Sequence, residues 1–245
     1  MSEQTIALVT GANKGIGYEI AAGLGELGWR IGVGARDRER RDGAVAKLRA
    51  AGVDAFGVPL DVTDDASVAA AAGFIADRAG GLDVLVNNAA IVGEHPQTPT
   101  TVDPATLRTV VETNVIGVVR VTNAMLPMLR ESASPRIVNM SSSVGSLGLQ
   151  TTPGLPGTEI GSFAITAYMA SKTFLNAVTI QYVKELHDTN ILINNGCPGF
   201  TATDLNGFRG IRTPQQGAAI AIRLATLPDD GPTGGFFDDA GTVPW

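Results

Sequence analysis

Residues 166 to 172 read "TAYMASK", which sets a phenol at Tyr168 four positions ahead of an ammonium at Lys172. Positions i and i+4 of a helix share one face, so the two side chains project together if this small-residue run is helical. An ordinary solvated face would explain such a pair without chemistry. A phenol beside a cation would equally serve as a proton donor whose conjugate base is stabilised. The pair follows a serine-rich strand end, "IVNMSSS" at 137 to 143, and the carboxyl ends of strands are where α/β proteins bind ligands. Ser141, Ser142 and Ser143 therefore join the same candidate constellation, although a strand-end serine also commonly bonds its own backbone.

A second signature lies near the start of the chain. "TGANKGIG" at 10 to 17 puts Gly11, Gly15 and Gly17 in a turn between a strand-like run and a helix-like one. Glycines let backbone approach a ligand closely, and the following helix offers unpaired N–H groups and its positive dipole end to a pyrophosphate. A glycine turn chosen only for tight packing looks similar, so it is the order strand, turn, helix that points to a dinucleotide. Where an NAD-binding chain would place a ribose-binding acid, "GVGARD" supplies Ala35 and then Arg36, a cation suited to a 2′-phosphate. Lys14 inside the turn adds a second positive charge, and both cations favour NADPH over NADH. Asp37 suits a helix cap and receives no cofactor role.

The elements that would position these residues alternate regularly. Short apolar runs, "TIALVT", "RIGVGA", "DAFGVPLD", "LDVLVNN", "PRIVNMS" and "ILINNGC", are separated by helix-like stretches such as 15 to 28, 64 to 79, 104 to 131 and 166 to 188. Strands apolar nearly throughout, each followed by a crossover helix, predict a parallel sheet covered on both faces, an α/β doubly wound Rossmann-type fold. No linker-like break interrupts the 245 residues, so one domain spanning 1 to 245 is expected. Gly and Pro gather at 145 to 161 and 196 to 214, both beyond strand ends, where a substrate pocket and its lid would form.

Composition removes several function classes. A net charge of −6 gives no basic footprint, and basic residues cluster only around Arg36 to Arg41, so nucleic acid is not an expected partner. No run reaches transmembrane length, and Met1 to Gln4 lead into the first strand without a basic, then apolar, leader. With one cysteine, Cys197, no internal disulfide can form, and a reducing cytoplasm is the expected setting. His95 and His187 have no Cys/His cluster around them, so no metal site is expected. Cys197 itself reads as a small buried hydrophobe.

Taken in order, "TGANKGIG", "LDV" at 60 to 62, "NNAA" at 87 to 90, "TNVIG" at 113 to 117, "IVNMSSS", "YMASK" and "PGFTAT" at 198 to 203 span nearly the whole chain. In these motifs the sequence resembles a short-chain dehydrogenase/reductase, and within that family it is similar to the carbonyl reductases. The resemblance implies a catalytic tetrad of Asn114, Ser142, Tyr168 and Lys172. Ser142 is taken over Ser141 and Ser143 because the family pattern puts the serine three residues before Gly145. Tyr168 would protonate the carbonyl oxygen as hydride arrives at carbon, Ser142 would orient that oxygen, and Asn114 would hold a water beside Lys172. Lowering a phenol from ~10 to ~7 needs about 4 kcal/mol, which a nearby ammonium and an oxidised nicotinamide would jointly supply.

Within the glycine motif the resemblance adds Asn13 and Ile16 to Gly11, Lys14, Gly15, Gly17 and Arg36 as contacts to NADPH or NADP+. It places Asp61 and Val62 near the adenine, Asn88 with Ala89 along the ribose, and Pro198, Gly199, Thr201 and Thr203 at the nicotinamide end beside Tyr168 and Lys172. Asn87 is expected to be structural. Ala90 departs from the family's usual "NNAG", which adds a methyl near the cofactor without forbidding binding.

The stretch between Ser142 and Tyr168 is longer than in the shortest relatives and is similar to the carbonyl reductase insertion, which bears on assembly. A homodimer, a homotetramer and a monomer all stay open. Loops 92 to 99, 145 to 165 and 204 to 213 carry Leu147, Leu149, Leu155, Ile160, Phe163, Leu205 and Phe208, with Phe200 nearby, and would suit an apolar or aryl carbonyl compound or the corresponding alcohol. A non-enzymatic NADPH sensor would need the glycine turn and Arg36 but not Tyr168 and Lys172. An alcohol dehydrogenase working mainly in the oxidative direction would use the same residues. An epimerase of the superfamily would need a substrate domain beyond "PGFTAT", for which little sequence follows.

Overall fold

The computed structural model describes residues 4–151 and 165–245. Of the expected lid, residues 152 to 164 with Leu155, Ile160 and Phe163 lie outside the described residues. The apolar runs form β1 (Ile6–Thr10), β2 (Arg30–Ala35), β3 (Ala55–Pro59), β4 (Val84–Asn87), β5 (Arg136–Met140) and β6 (Leu192–Gly196). Two short strands follow, β7 (Phe236–Asp238) and β8 (Gly241–Thr242). Among the described residues these make one sheet ordered β3-β2-β1-β4-β5-β6-β7-β8, parallel except for the last pair.

Between the strands run α1 (Gly15–Glu26), α2 (Arg38–Ala50), α3 (Asp65–Ala79), α4 (Pro104–Val111), α5 (Gly117–Glu131), α6 (Leu147–Gln150), α7 (Thr166–Glu185) and α8 (Pro214–Ala225). The strand alternation sends Ala7 and Val9 to one layer, with Ile20 and Leu24 of α1, Leu48 of α2 and Leu224 of α8. Leu8 points to the other, with Ile75 of α3 and Met125 and Leu129 of α5. Each such leucine contributes about 2 kcal/mol by leaving water, so both layers hold the sheet that carries the site.

Because β1 neighbours both β2 and β4, the chain winds outward in opposite directions from that point. The loops after β1 and β4 therefore diverge and leave a crevice at the strands' carboxyl ends. The stretch expected as one helix over 104 to 131 is divided: a π-turn at Glu112–Ile116 separates α4 from α5. Its cause is visible at Asn114, fully buried, whose side-chain oxygen accepts from Ile91 N–H and whose amide donates to Ile91 C=O. Satisfying that loop from inside a helix requires a local change of winding, and π-turns of this kind gather at functional sites.

Helix caps separate structural from functional ends. Asp37, Asp64, Asp103 and Thr213 each accept a backbone N–H at the start of α2, α3, α4 and α8. The helices that begin at the crevice, α1 and α7, have no such side chain at their first position. Among the described residues, no helix is long and apolar enough to cross a membrane.

Candidate active site

The glycine turn closes over β1 and β4. Gly11 and Gly15 hold φ of 65° and 56°, a left-handed conformation that side chains resist. Gly17 is required for a different reason: a Cβ there would lie 2.5 Å from the Gly11 carbonyl oxygen and from Asn88 Nδ2. The turn is fastened to β4 by Thr10, whose Oγ1 accepts from the Asn88 and Ala89 N–H groups at 2.9 and 3.0 Å. Asn88 Nδ2 in turn donates to Thr10 C=O at 2.9 Å, so its side chain braces the turn. The backbone cradle left before the uncapped α1, where a Cβ would intrude and no side chain takes the N–H groups, fits a pyrophosphate. Asn13 and Ile16 flank it, each partly buried.

Arg36 leaves the end of β2 largely exposed, and among the described residues its one ion-pair partner is Asp61, at 3.9 Å. Burial pushes the Asp61 carboxyl up, but two hydrogen bonds from Thr63 and the nearby Arg36 and Arg120 more than offset this and hold it below the usual carboxylate range. Val62 is fixed from behind, since its carbonyl accepts from Arg120 Nη1 at 2.7 Å. Arg120 also pairs with Asp65 and with Glu112, the first residue of the π-turn. One guanidinium thus joins the loop after β3 to the segment holding Asn114, a link that sequence patterns did not reveal. Lys14 pairs with Asp204 of the segment after β6.

Beyond β6, Gly199 adopts φ 69°. Thr203 opens a turn as a capping residue with Asn206, and its methyl lies over Gly15. Thr201 is buried instead, its hydroxyl donated to Pro198 C=O at 3.0 Å and so spent within its own loop.

At the other end of the crevice α7 presents Tyr168 and Lys172 on one face. Ser142 faces the Tyr168 phenol closely enough to lower its pKa, and Lys172 Nζ lies 5.5 Å from the phenol ring centroid. Lys172 is buried and donates to Met140 C=O at 2.7 Å. Ser141 is excluded as the working serine: it is buried, and its hydroxyl donates to Asn176 Oδ1 at 2.6 Å. Ser143 offers its N–H to Cys197 Sγ at 3.2 Å. Asn114 joins the group through Ser171, to whose Oγ its amide donates at 3.0 Å. With Ile91 bonded to its oxygen and its other N–H, the Asn114 side chain makes three hydrogen bonds, and its oxygen can accept one more.

Tyr168 keeps partial exposure, yet the protein around its hydroxyl raises its pKa well above the ordinary phenol value, and a charged Cys197 would push the same way. The neighbouring Ser142 hydroxyl opposes this. Burial pulls Lys172 down to about 8, against an upward effect of Cys197. The expected lowering of the phenol by Lys172 is thus not built into the protein alone, because desolvation outweighs the effect of Ser142. The phenol rests protonated, the form needed to donate.

The start of α7 is held from 70 residues away. Gln97, buried in the loop after β4, accepts Ala167 N–H on its side chain at 3.2 Å and Thr166 N–H on its carbonyl at 3.1 Å. Sequence reasoning missed this cap because its signal is only the absence of a local one.

The short chain dehydrogenase family profile matches residues 5–211. Short-chain dehydrogenase anuI of Penicillium roqueforti is 34% identical over 227 residues, covering 90% of this chain and 88% of that protein. Carbonyl reductase (NADPH) 1 of Mus musculus is 32% identical over 280 residues, covering 100% of this chain and 99% of that protein. Among solved structures, NADPH-bound carbonyl reductase from chicken fatty liver superposes with a TM-score of 0.85 at 29% identity, over 99% of this chain and 100% of that one.

Proposed function

The chain belongs to the short chain dehydrogenase family, and on that premise we propose that it reduces a ketone or aldehyde to an alcohol in the cytoplasm, with Tyr168 as the proton donor. The cofactor is NADPH/NADP+, the one carried by the NADPH-dependent relatives. The glycine cradle of Gly11, Gly15 and Gly17 would hold its pyrophosphate, Arg36 its 2′-phosphate, Asp61 and Val62 the adenine side, and Thr203 the nicotinamide end. When bound, NADPH supplies the hydride.

The chain's own residues handle the oxygen. Ser142 donates a hydrogen bond to the substrate carbonyl oxygen and fixes its direction. As charge gathers there, the Tyr168 O–H bond breaks and the alcohol O–H bond forms. The tyrosinate left behind is stabilised by the Lys172 ammonium and recovers its proton from solvent. Asn114, tied to Ser171 one residue before Lys172, fixes the middle of this arrangement.

The single observation that carries the proposal is the Tyr168 phenol set between Ser142 and a buried Lys172, whose Nζ lies 5.5 Å from the ring centroid. A binding protein has no use for it. The rim is apolar: Leu147, Phe200, Leu205 and Phe208 are all exposed, Phe208 at a φ of 60° that bulky residues rarely adopt. This supports an apolar or aryl carbonyl substrate.

The test is consumption of NADPH, with NADH in parallel, over aryl, aliphatic and anionic ketones and aldehydes. Turnover of the apolar members with NADPH is expected. Tight NADPH binding without turnover on any carbonyl would turn the reading to a sensor, and selective use of anionic substrates would overturn the substrate class.

A further inference from the structure

Three asparagines stand side by side across the centre of the sheet. Asn87 of β4 is the register partner of Asn139 of β5, which is the partner of Asn195 of β6. Asparagine is a poor strand former, and all three are buried, where an unpaired amide costs several kcal/mol. Each is satisfied through its neighbours. Asn87 Nδ2 donates to Asn139 Oδ1 at 2.9 Å, and Asn139 Nδ2 donates to Thr179 Oγ1 of α7 at 3.0 Å. The one Thr179 hydroxyl proton lies between Leu175 C=O at 2.9 Å and Asn195 Oδ1 at 3.0 Å, and Asn195 Nδ2 donates to Asn176 Oδ1 at 2.9 Å.

The chain of bonds ends at the serine turn. Asn176 Oδ1 also accepts from Ser141 Oγ at 2.6 Å, while its Nδ2 donates to Gly145 C=O at 3.1 Å. Ser142 therefore lies inside a span whose two ends are both held by one amide. Asn176 is four residues after Lys172 and eight after Tyr168, on the same face of α7. From this geometry we infer that Asn176 is a positioning residue for the reduction: it fixes Ser142 against Tyr168 through Ser141 and Gly145, and the asparagine row across the sheet fixes Asn176. The inference rests on the roles given to Ser142 and Tyr168 in the proposed function.

The bracket acts through geometry, so its loss shows in the chemical step and not in cofactor binding. Asn176→Ala is expected to lower kcat about tenfold or more, as misplacing a reacting group does, with the NADPH Kd within about twofold of wild type by fluorescence. Ser141→Ala removes one bond of the bracket while opening less of the core, which guards against misfolding of the first variant. It is expected to lower kcat in the same direction by a smaller factor.

A residue that merely supports the fold would lower activity regardless of Ser142. A positioning residue loses its effect once Ser142 is gone, so Asn176→Ala in a Ser142→Ala background should cost less than about twofold. Equal losses in both backgrounds, or an unchanged kcat in Asn176→Ala, would overturn the inference. Amide hydrogen exchange reads the same point without turnover: protection at Ser143 to Ser146 should fall in Asn176→Ala, and that at α1 should not. Unaltered exchange at the serine turn overturns the bracket even if no carbonyl substrate is found, whereas absent turnover with the exchange change seen would fault only the proposed activity.

Discussion

Gly145 presses directly on the backbone of Lys172: a Cβ at position 145 would lie 2.7 Å from both the Lys172 carbonyl carbon and its Cβ. This contact sets the distance between the serine turn and α7, and so between Ser142 and Tyr168. Gly145→Ala should push the two apart. Overpacking of this kind costs about 1–3 kcal/mol, and kcat is expected to fall by about an order of magnitude or more with little change in NADPH affinity. Steady-state kinetics beside a fluorescence titration of NADPH checks the split.

The other close approach lies at the cofactor end. Gly17→Ala places a methyl 2.5 Å from the Gly11 carbonyl oxygen, inside the pyrophosphate cradle. The loss should appear as weaker NADPH binding together with a lower melting temperature, because the same methyl strains the turn against β4. An unchanged Kd would show that the cradle is not used.

Among the described residues Arg36 has one distant ion-pair partner, and it faces solvent, so it is available to a phosphate. A charged hydrogen bond contributes about 1.5–3 kcal/mol, and Arg36→Ala should therefore raise KM for NADPH about ten- to a hundredfold while leaving KM for NADH nearly constant. A parallel loss with both cofactors would assign Arg36 to the fold instead.

Lys172 gives the pH dependence its sign. Its folded pKa is pulled down to about 8 by burial, so the ammonium is present at neutral pH and is lost as pH rises through about 8. The ionisable groups facing it are Tyr168 and Cys197. The rate of carbonyl reduction should be flat below that value and decline above it. In Lys172→Arg, whose guanidinium does not titrate in this range, any residual activity should lack the decline. A profile without a limb between about pH 7 and 9.5 would contradict the assignment of charge to Lys172.

The readable parts of the molecule were those with local causes. β1 and β4 are buried on both faces and so are apolar almost throughout, which marks them in any window of the sequence, whereas β5 and β6 are as buried but carry Arg136, Asn139, Asn194 and Asn195. The glycine turn and the Tyr168–Lys172 pair are also local. By contrast α2 begins Arg38-Glu39-Arg40-Arg41-Asp42 and reads as a solvated charged run, although Ala44, Val45 and Leu48 behind it reach the core. The π-turn at Asn114 was hidden because its cause, Ile91, lies on another loop.

Long-range hydrogen bonds were illegible for the same reason. The Gln97 cap of α7 and the row Asn87, Asn139, Asn195 depend on register and topology, and no single window contains both partners. The choice among the three serines had a usable signal. Ser141 follows Asn139 by two positions and so shares its face of the strand, which leaves Ser142 to turn outward. The resting protonation of Tyr168 had none, since burial of one hydroxyl is set by the whole site.

The most direct test is Tyr168→Phe measured against wild type on the best carbonyl substrate of the panel, with NADPH affinity determined on the same preparations. The substitution removes only the hydroxyl that faces Ser142. General acid catalysis contributes about 10²–10⁴-fold, so kcat should fall by at least that lower figure while the NADPH Kd stays within about twofold. Turnover by Tyr168→Phe comparable to wild type would contradict the central claim that Tyr168 delivers the proton.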